Sequence, residues 1–223
     1  MLVDLSHAIE HGMITYAGLP GPVISDVLSR EASRSRYAPG TEFHIAKIDM
    51  VANTGTYIDA PSHRFESGGD IATIDLQSIA NVPAVILRAT GRRSIDAPDV
   101  RDLDLRDRAL LIHTGWSQHW RNEKYWSNQH PFVTRAAAEL LAKSGARVVG
   151  IDSYNIDDTS DGARPAHTEL LRAGILIIEH LTNLDALPDS EAIRLFAVPP
   201  RVRGLGSFPV RAFAIVESIT DRV

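Results

Sequence analysis

Apolar residues along the chain fall in short runs, with few long helical stripes. Residues 82–87, 109–113, 147–152 and 175–178 are compact runs of aliphatic side chains, the pattern of strands buried on both faces. Shorter runs at 2–5, 195–198 and 210–216 read as strands near the two ends. Residues 41–51 carry charged residues between Ile45 and Val51 and read as a strand that ends at a polar cluster. The clearest helix spans 134–144. Thr134 is its candidate N-cap, Ala136 to Ala138 have high propensity, and Gly145 stands at the C-terminal cap position. Pro165 can open a second helix over 166–173, with Gly174 as its stop. Residues 18–22 are a loop by composition, and residues 29–40 read as a polar loop or mobile flap. Helices alternate with strands only in the middle of the chain. The pattern predicts a mixed α/β domain, distinct from a regular doubly wound sheet. No repeat or linker breaks it, so a single domain over 1–223 is expected.

Composition narrows the function classes. Apolar residues are 44% of 223, enough for a sizeable core. The net charge of -5 and the lack of a long basic run argue against nucleic acid as partner. No apolar run approaches a membrane span, and the first residues lack the pattern of a signal peptide, which points to the cytoplasm. Cysteine is absent. Any metal must therefore be held by His, Asp or Glu. No Gly-rich phosphate loop and no Gly-x-Ser-x-Gly elbow is present, so nucleotide binding and serine hydrolysis lose support.

Chemistry concentrates in Asn53-Thr54-Gly55-Thr56-Tyr57-Ile58-Asp59-Ala60-Pro61-Ser62-His63. Asp59 and His63 are separated by an Ala-Pro step that resists helix, so a bend can turn both toward one cavity. Asp before a Pro turn is also ordinary turn chemistry. His167 falls just inside the second helix. Glu179 closes the apolar run 175–178, and a carboxylate there needs a partner, either an arginine such as Arg164 or Arg211 or a metal. Trp116, Trp120, Tyr125 and Trp126 lie close together in the chain. They are either a packed aromatic lid or the wall of a substrate pocket, with Trp116 and Trp120 as substrate contacts.

The cluster at 53–63 resembles the signature of the Putative cyclase family, which includes bacterial kynurenine formamidases and reads His-x-Gly-Thr-His-x-Asp-x-Pro-x-His. Asp4-Leu5-Ser6-His7 resembles the family's start, and His167 to Glu179 is similar to its downstream His and Glu segment. The resemblance implies a β-barrel-like mixed sheet with flanking helices, of the swivelling β/β/α type. It also implies a metal-dependent amidohydrolase, related to arylformamidases of tryptophan catabolism, that acts on formamides, cyclic amides or lactones and forms a homo-oligomer, dimer or tetramer. It puts Asp59, His167 and Glu179 at metal-ligand positions and His63 at an acid/base position.

This chain departs from the signature at its first two histidines, which are Asn53 and Tyr57. Neither replaces a neutral imidazole well as a ligand. The expectation is therefore one divalent ion per chain, zinc first and manganese second. Asn53 is then a substrate contact and Tyr57 a donor to the substrate carbonyl or its oxyanion. The parts form a coherent mechanism: an ion with three protein ligands activates a water, and His63 moves the proton while an amide or cyclic ester of a small carbonyl compound opens. A metal-poor homologue that only binds a small molecule, and a lyase or dehydratase on the same scaffold, are the alternatives.

Overall fold

The computed structural model describes residues 1–16, 18–189 and 192–217; the remaining positions of the domain expected over 1–223 lie outside the described residues. In chain order the elements are β1 (Leu2–Asp4), β2 (Val23–Leu28), α1 (Arg30–Ser33), β3 (Ile45–Asp49), β4 (Tyr57–Asp59), β5 (Val82–Arg88), β6 (Ser94–Ile95), α2 (Ala97–Val100), β7 (Ala109–His113), β8 (Phe132–Val133), α3 (Arg135–Leu141), β9 (Val148–Ile151), α4 (Pro165–Arg172), β10 (Leu176–Glu179), β11 (Ala192–Phe196), β12 (Ser207–Pro209) and β13 (Phe213–Glu217).

Nine strands form one curled, half-barrel sheet in the order β1-β13-β11-β5-β7-β9-β10-β4-β12. Its centre, β5-β7-β9-β10, is parallel. The strands on either side are antiparallel. This is a mixed α/β sheet. The aliphatic runs 109–113 and 148–151 become central strands because each can bury both faces. Alternation then sorts the side chains. Leu111, Val148 and Ile178 join one core with Ile58 of β4. Leu110, Ile112, Val149 and Ile177 join the other, against Ala137 and Leu141 of α3 and Ala166, Leu170 and Leu171 of α4. Residues adjacent in a strand face opposite ways. Tyr57 and Asp59 flank Ile58, and Glu179 follows Ile178, so all three project from the face that α4 covers.

Three sequence expectations change. The strand expected over 41–51 is the shorter β3, and it does not enter the main sheet. It pairs with β2, which the pattern did not indicate, in a separate two-stranded ribbon with a register shift between Asp26 and Leu28. The ribbon leaves Val23, Val27, Ile45 and Ile48 exposed. The strand that carries the chemistry lies inside the polar cluster itself, as β4. It is only three residues long and is held by neighbours on both sides, so its own sequence has little strand signal. Residues 29–40 contain α1 and a 3-10 turn at Arg34–Arg36 in place of an uninterrupted loop, because the Ser29 hydroxyl caps α1 by accepting from Ala32 N.

The two expected helices form: α3 ends three residues before the expected 144, and α4 lies one residue earlier than expected. Thr134 caps α3 through Ala137 N, and Gly145 and Gly174 follow the helices with φ of 78° and 76°, backbone that glycine adopts without cost. No helix among the described residues is long and apolar enough to cross a membrane.

Candidate active site

β4 and β10 set the geometry. Their antiparallel register places Tyr57 opposite Glu179 and Asp59 opposite Ile177. Directly paired side chains on one face sit within reach of each other, and the Tyr57 hydroxyl donates to Glu179 Oε2. Glu179 Oε1 accepts from Ile156 N at 2.7 Å. His167 descends from the first turn of α4, with its Nε2 3.6 Å from Asp59 Oδ2 and 3.7 Å from Glu179 Oε1. Its other nitrogen, Nδ1, is 2.6 Å from Asp157 Oδ2. Asp157 also accepts from the backbone N–H groups of Ala166 and His167. One carboxylate thus closes the start of α4 and fixes which imidazole nitrogen faces Asp59 and Glu179.

His63 also stands beside Asp59, its ring centre 5.7 Å from that of His167. A 3-10 turn at Pro61–His63 follows Asp59 and Ala60. The turn is clamped from two directions: Ala60 N donates to Gly206 O at 2.8 Å and Ser62 N to Gly69 O at 3.0 Å. A Cβ on Gly206 would lie 2.5 Å from the His63 backbone, and one on Gly68 would lie 2.6 Å from Pro61, so both glycines are needed for close approach. His63 Nδ1 is 3.8 Å from Asp59 Oδ1. Ser207 sits between them, donating to Asp59 Oδ1 and lying 2.8 Å from His63 Nδ1. Since the serine's single proton goes to Asp59, its oxygen accepts from Nδ1–H. That proton count leaves His63 Nε2 as the basic nitrogen.

The electrostatics follow from burial. Asp59 and Glu179 are fully buried and Tyr57 nearly so. Burial raises the Glu179 pKa to about 7, with the Asp59 charge adding to the rise and the His167 charge opposing it. Burial, together with the charges of Glu179 and Asp59, pushes the Tyr57 phenol well above its usual range. Burial alone would lower His167, but its hydrogen bond to Asp157 and the nearby charges of Glu179 and Asp59 outweigh burial and raise it. The arginine partner considered for Glu179 is absent: Arg211 pairs with Asp4 at 2.8 Å, and Arg164 donates to the Asp158 carbonyl at 3.2 Å.

These residues fit a divalent cation. Asp59 Oδ2 is buried without a hydrogen-bond partner, a costly state unless a cation satisfies it. Ligand atoms of Asp59, His63 and His167 lie within 4.8 Å of one another. Donors around a tetrahedral ion with bonds near 2.0–2.1 Å stand roughly 3.3 Å apart, close to the separations seen at His167 Nε2. The group of Asp59, His63 and His167 is one carboxylate and two imidazoles, and Glu179 Oε1 adds a second carboxylate beside His167 Nε2; zinc and manganese both accept such donors.

A cavity of about 280 Å³ opens above the site, lined by Tyr16, Leu19, Asn53, Tyr57, His63, Arg64, Asn155, Arg164, His167 and Glu179. Asn53 faces it. Trp116 and Trp120 do not line it. Trp116 is buried, donating from Nε1 to Tyr125 O at 3.1 Å, and Trp120 stacks on His7 with ring centres 3.9 Å apart. They belong to the packed aromatic cluster, and Tyr16 and Leu19 supply the apolar wall instead. Tyr57 also differs from expectation, because its single proton is already given to Glu179 and none remains for a substrate oxygen. Sequence reasoning missed Ser207, Asp157 and the lining Arg64. Asp157 had a faint signal, as an acid in the loop before a helix that lacks a capping residue. Ser207 had none.

Known proteins resemble the chain along nearly its whole length. A sequence profile described as Putative cyclase matches residues 3–158, which include the cluster at 53–63. Kynurenine formamidase of Geobacillus thermodenitrificans is 34% identical over 212 residues, covering 94% of this chain and 95% of that protein. The same enzyme of Bacillus cytotoxicus is 29% identical over 211 residues, with the same coverage. A solved structure described as a potential metal-dependent hydrolase with cyclase activity aligns with a TM-score of 0.79 at 27% identity, over 98% of both chains. Isatin hydrolase A from Ralstonia solanacearum shares the fold, with a TM-score of 0.80 at 22% identity over 97% of this chain and 92% of that one.

Proposed function

We propose that this chain, which belongs to the Putative cyclase family, hydrolyses an amide, formamide or cyclic ester or amide bond of a small molecule with the help of one divalent ion. It is a hydrolytic enzyme, similar over its length to kynurenine formamidases. The observation that carries the reading is the orphaned Asp59 Oδ2 facing His167 Nε2, with Glu179 and His63 around it at the floor of a cavity.

Asp59, His167 and Glu179 would hold the ion, and zinc is the first candidate for this donor set, with manganese second. When bound, such an ion lowers the pKa of water and polarises a carbonyl. The chain's own groups supply the rest. His63, held by Ser207 through Nδ1, takes up a proton at Nε2 and returns it to the leaving amine or alcohol. Asp157 keeps His167 in its ligating orientation. Tyr57 anchors Glu179 by hydrogen bonding, and so fills with a phenol the place where the family signature has an imidazole. That substitution supports one ion per chain. The apolar side chains exposed on both strands of the β2–β3 ribbon support a homo-oligomer, since an isolated ribbon is marginal in water.

The test combines elemental analysis of protein purified without chelator with a hydrolysis panel of formamides, lactones and cyclic imides. A metal-to-chain ratio near one and chelator-sensitive release of amine or acid are expected. Chelator-resistant turnover, or a dehydrated product without hydrolysis, would overturn the reading.

A further inference from the structure

The cavity contains two cations for which the hydrolytic reading has no use. Arg64 and Arg164 both line it, and neither forms an ion pair with a carboxylate among the described residues. Arg164 immediately precedes α4, three residues before His167, in a left-handed backbone conformation with φ of 47°. That conformation disfavours a side chain of this size, and a turn alone would be served by glycine or asparagine. The arginine is half-buried and spends one N–H on the Asp158 carbonyl at 3.2 Å. Arg64 directly follows His63. Its Nε donates to Thr168 Oγ1 at 3.2 Å, and its guanidinium rests 5.4 Å from the centre of the Phe65 ring. Both guanidinium groups are therefore anchored beside the reacting centre with further N–H donors to offer.

Charge bookkeeping within the cavity points the same way. Asp59 and Glu179 place two negative charges at the floor, which a divalent ion cancels. Arg64 and Arg164 then leave the cavity positive, on a chain whose net charge is -5. Two arginines lining one cleft with an apolar wall offer N–H donors to an oxyanion. The cavity, about 280 Å³, is at the small end for ligand sites.

We propose that Arg164, assisted by Arg64, binds a carboxylate borne by the substrate, so that the enzyme selects small anionic carbonyl compounds over their neutral counterparts. The proposal rests on the hydrolytic reading of the same site. The carboxylate replaces bulk water on the guanidinium and sets the distance between the anion and the scissile carbonyl. Specificity then comes from a charge-assisted contact, and the apolar wall of Tyr16 and Leu19 accepts the body of the molecule.

The test uses 2-, 3- and 4-formamidobenzoate, each beside its methyl ester, with wild-type metal-loaded enzyme, Arg164→Gln and Arg64→Gln. Binding of the corresponding aminobenzoates is measured by calorimetry in parallel. At least one acid should exceed its ester in kcat/KM by about 10–100-fold, and Arg164→Gln should remove most of that ratio, chiefly through KM. The matching aminobenzoate should bind the variant about 10–100-fold more weakly. Hydrolysis of acids and esters at equal rates, with ratios unmoved in both variants, would overturn the proposal and leave the hydrolase standing. No turnover of any compound, with aminobenzoate binding that Arg164→Gln weakens, would sink the hydrolytic reading and uphold the anion site.

Discussion

Replacing Tyr57 with phenylalanine separates two tasks that a tyrosine can perform in this cavity. The ring stays, and its burial is retained. Only the hydroxyl is lost, and with it the donor to Glu179 Oε2. Glu179 is fully buried and keeps Ile156 N–H on Oε1 at 2.7 Å. A hydrogen bond to a charged group is worth about 1.5–3 kcal/mol. Taking about 2 kcal/mol, the metal-free variant should lose roughly 4–8 °C in Tm for a chain of this length. The loss should shrink once zinc is added, because a cation then neutralises the carboxylate that the phenol had served. Turnover should fall by less than about tenfold and the metal-to-chain ratio should stay near one. Thermal melts with chelator and with zinc, elemental analysis and steady-state kinetics cover all three quantities. A fall in kcat of about 10²–10³-fold at unchanged metal content is the size expected for a lost oxyanion donor. That result would show that the phenol leaves Glu179 during reaction, and the argument from its single proton would fail. A ratio near two would refute the account of how Asn53 and Tyr57 changed the site.

His63→Ala should reduce turnover by roughly 10²–10⁴-fold with metal content intact; metal lost along with activity would make His63 a ligand. Asp157→Asn weakens the acceptor for His167 Nδ1, so metal affinity in a chelator competition should drop about 10–100-fold; unaltered affinity would mean that α4 packing alone orients His167. A pH effect should come from His7, whose pKa is lowered to about 4 by burial and the charge of Arg121. Its folded value lies below its unfolded value near 6.5, so the unfolded chain binds the extra proton and stability falls as pH drops from about 6.5 toward 4. From pH 6.5 to 5 this amounts to about 1.6 kcal/mol, and urea unfolding of His7→Gln should show a loss of stability over that range smaller by about that amount; an equal loss in the variant would discount His7.

Local chemistry alone determined a good deal of this molecule. The aliphatic runs at 109–113 and 148–151 are strands in any fold that buries both faces, and Thr134 with Gly145 bounds its helix by capping. The residue types around Asp59, the absence of cysteine and the unexplained Glu179 confined the chemistry to oxygen and imidazole donors. Tertiary structure decided what those residues are joined to. Tyr57–Asp59 is too short to signal a strand, and becomes one only because β10 and β12 hydrogen-bond to it on both sides. Register, which no local pattern encodes, put Tyr57 across from Glu179 and so committed its proton. Ser207 reaches Asp59 across 148 residues of chain, and Asp157 meets His167 only because the loop after β9 folds over the start of α4. Trp116 is buried in an aromatic cluster, with Trp120 and Trp126 packed against it, because aromatic rings pack well against one another. The cavity wall passed to Tyr16 and Leu19, whose place beside the site depends on contacts distant in sequence.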